Sequence, residues 1–311
     1  MNDVIYLCPG QGAQAVGMGR AWHRSSAAAK AVFDEADRVL GDRLGAPLSQ
    51  LCFQGPAERL NQTDVSQPAI YACSIASARG RAETAGEPTL TATAGLSLGE
   101  YTALCLAGVF DFATGLELVA ARGQLMQEAA EASDGGMVAL IGADEARAEE
   151  VCRKAGQGEI LVCANFNAPG QIVLSGHRTA CDRAVEIAGE TGLRATALTV
   201  AGAFHSPLMQ PAADRMAEIL GRVEMQPPTC PVWSNVTAAR HDPENPELLR
   251  QRLVEQIVQP VRWAQGCAAL AAEHAESAYH ELAPGSVLRG LMRRIDRNVK
   301  VMSHDEPDDE S

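Results

Sequence analysis

Two hydrophobic rhythms alternate along the chain. Short, nearly unbroken apolar runs at 4–8, 90–94, 232–234, 278–282 and 299–302 read as strands buried on both faces, the pattern of a parallel sheet. Between them, apolar residues recur every three or four positions over 29–40, 69–84, 101–107, 113–130, 207–220, 247–258, 264–274 and 287–295, which predicts amphipathic helices. Strands alternating with helices predict an α/β fold with a mostly parallel sheet.

The rhythm changes after Gly136. Strand, helix, strand, turn, strand, helix and strand follow at 137–141, 145–154, 160–165, 168–170, 172–175, 179–189 and 194–198. This βαββαβ order is that of a ferredoxin-like unit. Resumption of the first pattern afterwards predicts an inserted small domain, 135–199, within a discontinuous catalytic domain, 1–134 and 200–304. A cleft between the two is expected.

Composition narrows the class. A chain of 311 residues that is 46% hydrophobic and 21% charged can bury a sizeable enzyme core. The N-terminus has neither a basic leader nor a cleavage-type sequence, and no apolar run is long enough to span a bilayer, so a cytosolic protein is expected. Nine cysteines stand singly with no CxxC pair, which suits reduced thiols; Cys8 and Cys105 read as packing residues. The formal charge of −13 argues against nucleic acid as a partner. An anionic partner would need a local basic patch, and Arg289, Arg293, Arg294, Arg297 and Lys300 form the densest one. Residues 305–311 are acidic and poor in apolar groups, which predicts a disordered tail.

Ser97 carries the clearest chemical signal. It sits in Gly95-Leu96-Ser97-Leu98-Gly99-Glu100, where a strand must turn sharply into a helix. Such a turn lifts the hydroxyl out of the backbone beside the free amide donors of a helix start, forming a nucleophile elbow. A base is needed, and His205 in Ala203-Phe204-His205-Ser206-Pro207 lies where the chain returns to the large domain, on the expected cleft wall. His23 and His274 on helices and His241 in a polar loop fit structural or solvated roles better. Arg122 shares an apolar stripe with Leu118, Val119 and Met126. A guanidinium on that face makes sense only if an anion meets it, a protein carboxylate or the carboxylate of a substrate, or if the side chain snorkels out to water. Gln256, on a helix face with Leu249 and Leu253, poses the same question for a buried amide.

Taken together, these motifs resemble the malonyl-CoA:acyl-carrier-protein transacylase family, the acyltransferases of fatty-acid and polyketide synthesis. The resemblance covers nearly the whole chain: Pro9 to Gln14, Gly95 to Tyr101, Ala121 to Met126, Asn165 to Gly176, Gly202 to Ser206, Gln256 to Trp263 and Pro284 to Leu291. It implies a hydrolase-like large domain bearing a ferredoxin-like small one. It further implies that Ser97 is acylated by malonyl-CoA and passes malonate to the phosphopantetheine thiol of acyl carrier protein, with His205 as base and then acid. A carbonyl on the segment of Gln256 would orient the histidine, the backbone amides of Gln11 and Leu98 would hold the oxyanion, and Arg122 would pair with the malonyl carboxylate. Asn165 and Phe204 would line the pocket, and Arg194, Arg289 and Arg293 would face the pantetheine phosphate or the carrier. No cofactor is implied, and the family is commonly monomeric.

Two positions depart from the family pattern: Leu96 stands where histidine is usual, and Cys8 where phenylalanine is usual. Phe204 matches the malonyl-preferring type, whose ring can exclude an α-methyl group, a discrimination of about 1–3 kcal/mol. Three other readings compete. One is a polyketide-type acyltransferase of other acyl specificity. A serine thioesterase or esterase would use a late histidine, His280 or His304, and has no need of Arg122. Dinucleotide binding at Gly10, Gly12 and Ala15 fails because Gly17 and Gly19 interrupt the helix that should follow.

Overall fold

A computed structural model describes residues 3–307. Nine strands form in chain order: β1 (Asp3–Cys8), β2 (Thr89–Gly95), β3 (Gly135–Ile141), β4 (Leu161–Ala168), β5 (Gln171–His177), β6 (Arg194–Ala197), β7 (Val232–Trp233), β8 (Ala278–Leu282) and β9 (Val301–His304). Five of them make a parallel sheet in the order β7-β2-β1-β8-β9. The other four make an antiparallel sheet in the order β4-β5-β3-β6, the ferredoxin-like arrangement.

The helices explain how the parallel sheet is covered. Before β2 come α1 (Arg20–Ser25), α2 (Ala27–Leu40), α3 (Leu48–Gln54), α4 (Ala57–Leu60) and α5 (Thr63–Ala85), and between β2 and β3 come α6 (Gly99–Leu106) and α7 (Phe112–Glu131). The small sheet carries α8 (Glu145–Gly156) and α9 (Arg178–Glu190), and the chain then returns through a 3-10 turn, Pro207–Met209, into α10 (Gln210–Leu220). The last helices are α11 (Pro246–Val258), α12 (Trp263–Glu273) and α13 (Val287–Ile295). Two of these bear site residues and start on side-chain caps: Asp111 accepts from Thr114 N–H ahead of α7, and Asn245 from Leu248 N–H ahead of α11. Their core stripes bury Leu118, Val119 and Met126 with Arg122 on α7, and Leu249 and Leu253 with Gln256 on α11.

Three features differ from the sequence expectation. The short helices α1, α3 and α4 lie in stretches too brief for a periodic signal. Helix α5 begins at Thr63, more than a turn before Pro68, whereas the apolar spacing starts it at Ala69. The turn survives because Pro68 lies close to the helix start, so its missing N–H removes a single early hydrogen bond while the buried Val65, Ile70 and Tyr71 hold the helix down. Finally, β9 sits two residues later than expected, and the chain stays anchored at Asp305, whose carboxylate accepts the Gly285 N–H at 2.6 Å. That contact corrects the start of the expected disordered tail; residues 308–311 lie outside the described residues.

The two sheets are joined beside the carboxyl ends of β1 and β2. Val261, just past α11, donates its N–H to Ala164 O at 2.8 Å and accepts from Phe166 N–H at 2.9 Å, pairing the edge of β4 to the larger unit. Arg294 on α13 adds bonds of 3.0 Å to Gln171 Oε1 and Pro169 O at the β4–β5 turn. A cavity of about 450 Å³ opens between the sheets.

Candidate active site

The cavity lies at the carboxyl ends of the parallel strands, where open α/β sheets place their ligands. Ser97 is on its floor, between the end of β2 and the start of α6. Its φ of 53° is left-handed, a strained value for a non-glycine residue that turns the hydroxyl out of the sheet. The turn is possible only because its flanks lack side chains. A Cβ on Gly95 would stand 1.9 Å from the Gly99 carbonyl, and one on Gly99 would stand 2.2 Å from the Cys8 carbonyl oxygen. The Asn235 side chain then fixes the turn, accepting the Ser97 N–H at 2.7 Å and donating to Gly95 O at 2.7 Å.

His205 meets Ser97 across the cavity. Its Nε2 is 2.8 Å from Ser97 Oγ, and its Nδ1 is 2.7 Å from the main-chain oxygen of Gln256. A carbonyl oxygen only accepts, so Nδ1 carries the proton and Nε2 is left to receive the serine proton. Burial, and then the nearby Arg122 cation, push the imidazolium pKa from 6.5 down to about 3, against a smaller opposing effect of the Gln256 carbonyl. The resting imidazole is therefore neutral and free to act as a base. His205 also has a positive φ, 56°, so Ser97 and His205 both sit on strained backbone.

Arg122 is 1% exposed and lies beside the same hydroxyl. Its Nη1 donates to Gln67 Oε1 at 2.6 Å, and its Nη2 to Gln256 Oε1 at 2.9 Å and to Ser97 Oγ at 3.2 Å. The Nε–H has no acceptor among the described residues. The Tyr101 ring lies 5.6 Å from the guanidinium carbon. All the direct hydrogen-bond partners are neutral, and burial lowers the guanidinium pKa below its usual value. Among the described residues no carboxylate forms an ion pair with it, which removes the protein-carboxylate alternative for this buried cation.

Gln256 ties these groups together. Beyond its two contacts as an acceptor, its side-chain amide donates to Ser97 O at 2.9 Å and to Glu100 Oε2 at 2.6 Å. The backbone N–H groups of Gln11 and Leu98 have no acceptor among the described residues, and both residues line the cavity. Free amides in the lining of the cavity that holds a serine hydroxyl are the kind of donor a developing oxyanion needs. Asn165 and Phe204 also line the cavity, as does Leu96. Arg194 on β6 and Arg289 and Arg293 on α13 are exposed and lie outside the lining, so the structure does not bring them to Ser97.

Sequence reasoning missed Asn235, Gln67, Glu100 and His241. Gln67 lies just before the helix expected over 69–84. His241, expected in a polar solvated loop, is instead buried, with Nε2 2.6 Å from Glu100 Oε1. The late histidines of the esterase reading, His280 and His304, bond each other at 2.7 Å and are not part of the cavity wall. The Cys8 thiol is fully buried and pushed well above its usual pKa by desolvation, as a packing residue should be.

A serine, a histidine held by a carbonyl, two free amides and a buried cation equip this cleft for acyl transfer, and known proteins agree. The acyl transferase domain family matches residues 5–305. The malonyl CoA-acyl carrier protein transacylase of Escherichia coli K12 is 40% identical over 309 residues, covering 99% of this chain and 97% of that protein. The transacylase of the same name from Coxiella burnetii superposes with a TM-score of 0.92 at 36% identity, over 98% of this chain and 94% of its own. A malonyl-transacylase solved with its type II polyketide acyl-carrier protein superposes with a TM-score of 0.91 at 37% identity, over 98% and 96%. With an end-to-end family match and relatives of this similarity, the chain belongs to the acyl transferase family.

Proposed function

We propose that this acyltransferase moves the malonyl group from malonyl-CoA to the phosphopantetheine thiol of an acyl carrier protein, through a malonyl ester of Ser97, and so supplies fatty-acid synthesis. In the first half-reaction His205 Nε2 takes the Ser97 proton as Oγ attacks the thioester carbonyl. The resulting oxyanion is held by Gln11 N–H and Leu98 N–H. Collapse breaks the carbon–sulfur bond, and the imidazolium gives its proton to the departing CoA sulfur. In the second half-reaction His205 deprotonates the carrier thiol, which attacks the ester carbonyl, and the proton returns to Ser97 Oγ.

The observation that carries this reading is Arg122, a buried cation 3.2 Å from the nucleophile whose hydrogen-bond partners are all neutral. An acyl group with a free carboxylate completes it; a plain acyl group leaves it unmatched. Phe204, in the cavity wall, supports malonyl over a branched malonyl. Among the described residues no helix is long and apolar enough to cross a membrane, in keeping with an enzyme of the cytoplasm. Exposed Arg289 and Arg293 on α13 and Arg194 on β6 are assigned to the pantetheine phosphate or the carrier.

Intact-mass measurement after mixing with malonyl-CoA tests the proposal. Wild type should gain one malonyl group, lose it to added phosphopantetheinylated carrier, and gain none as Ser97→Ala. Rapid release of free malonate with no transfer would overturn it in favour of a hydrolase.

A further inference from the structure

Glu100 is 0% exposed, yet it takes no part in the steps above. Its Oε2 accepts both the Gln256 amide at 2.6 Å and the Asn235 backbone N–H at 3.1 Å, and its Oε1 meets His241 Nε2 at 2.6 Å. Each of the first two partners leads to the reacting pair. Through Gln256 the path reaches the carbonyl that orients His205, and through Asn235 it reaches the oxygen that fixes the Ser97 N–H.

We propose that Glu100 is a positioning residue that locks nucleophile, base and cation into one geometry, with His241 as its anchor. This rests on the reading of Ser97 and His205 as nucleophile and base. The polarity of the arrangement follows from the carboxylate. Because Oε2 accepts, the Gln256 side chain must present its NH₂ to Glu100, which leaves its Oε1 facing Arg122 Nη2. One amide thus relays a carboxylate to the guanidinium without placing the two in contact. Among the described residues the guanidinium still touches no carboxylate, so a substrate carboxylate can complete it. The first turn of α6, where Glu100 lies, favours a negative charge through the helix dipole. A neutral residue here would leave the Gln256 amide free to flip and the elbow held by Asn235 alone.

The test uses the full chain, with Glu100→Gln, Gln256→Ala and their double variant. Three quantities are read: the rate at which a fluorophosphonate labels Ser97, kcat and KM for malonyl transfer, and the thermal midpoint. Labelling needs the serine–histidine pair but no malonyl carboxylate, so it reports positioning even if the transferase reading fails. Glu100→Gln should slow labelling and kcat together by about 10- to 100-fold, with KM for malonyl-CoA within about threefold. The loss should be clearly smaller in the Gln256→Ala background, because the two residues act along one path. Should Glu100→Gln fail to fold, His241→Ala and His241→Gln replace it: Ala should slow labelling about tenfold, and Gln, which keeps a donor, should restore most of it. Wild-type labelling in Glu100→Gln, losses that simply multiply, or equal behaviour of His241→Ala and His241→Gln would overturn the proposal.

Discussion

The main-chain oxygen of Gln256 accepts the Nδ1–H of His205 at 2.7 Å, in the place where many serine enzymes use a carboxylate. A carbonyl fixes the tautomer as well as a carboxylate does, but it offers no full negative charge to an imidazolium. With burial and the Arg122 cation acting in the same direction, the free enzyme holds His205 neutral over the whole physiological range.

This predicts an unusual acid side to the pH profile. For the free enzyme, kcat/KM should stay level through pH 6.5 and begin to fall only well below pH 5. The same shift bears on stability. The folded pKa, about 3, lies below the ordinary 6.5. Between those values the unfolded chain binds more protons, so stability present above pH 6.5 is lost as pH falls toward 3. At pH 5 the loss from His205 amounts to about 2 kcal/mol. Urea unfolding at pH 7 and pH 5 should show wild type losing about that much more than His205→Gln. Equal losses would contradict a buried neutral imidazole.

Arg122→Ala should separate two substrates. Malonyl transfer should fall by about 10² to 10³ in kcat/KM, the scale of a lost buried ion pair, while acetyl transfer falls far less. Arg122→Lys should recover only part of the malonyl rate, because an ammonium cannot reproduce the fork that reaches Gln67, Gln256 and the substrate. Steady-state kinetics with malonyl-CoA and acetyl-CoA decide the matter; equal losses for both would remove the carboxylate role.

Gly99→Ala should abolish activity without touching any reacting group. Its Cβ would lie 2.2 Å from the Cys8 carbonyl oxygen, inside van der Waals contact with backbone that cannot swing aside. The start of α6 must then shift, taking the Leu98 amide and Ser97 with it. We expect destabilisation of about 2–4 kcal/mol by chemical unfolding and loss of Ser97 labelling.

Charge reversal on α13 should act on the carrier alone. Arg289→Glu with Arg293→Glu should raise KM for the acidic carrier about tenfold at low salt, an effect that fades as ionic strength rises. Formation of the malonyl-serine from malonyl-CoA should keep its wild-type rate. A matching drop in that first half-reaction would move these residues from the carrier to the CoA thioester.

The fold class was legible in the chain, and Ser97 and His205 stood out there as candidates, because each rests on local rules. Solid apolar runs alternating with three-and-four spacing define the α/β sheet, and the βαββαβ order marks the insertion. A serine between two glycines at a strand end has one economical geometry. Arg122 and Gln256 were visible as polar residues on apolar stripes, a mismatch that requires burial with partners but does not name them. The resemblance to a known family supplied the free amides of Gln11 and Leu98, which composition and spacing do not reveal. Tertiary structure alone decided that Arg122 meets no carboxylate among the described residues, that His241 is buried against Glu100 rather than solvated, and that Asn235 clamps the elbow from 138 residues away. Those contacts join segments far apart in sequence, and hydrogen bonding carries no periodic trace along a chain. Packing of the two sheets decides which buried polar groups find each other, because each must be satisfied once water is gone.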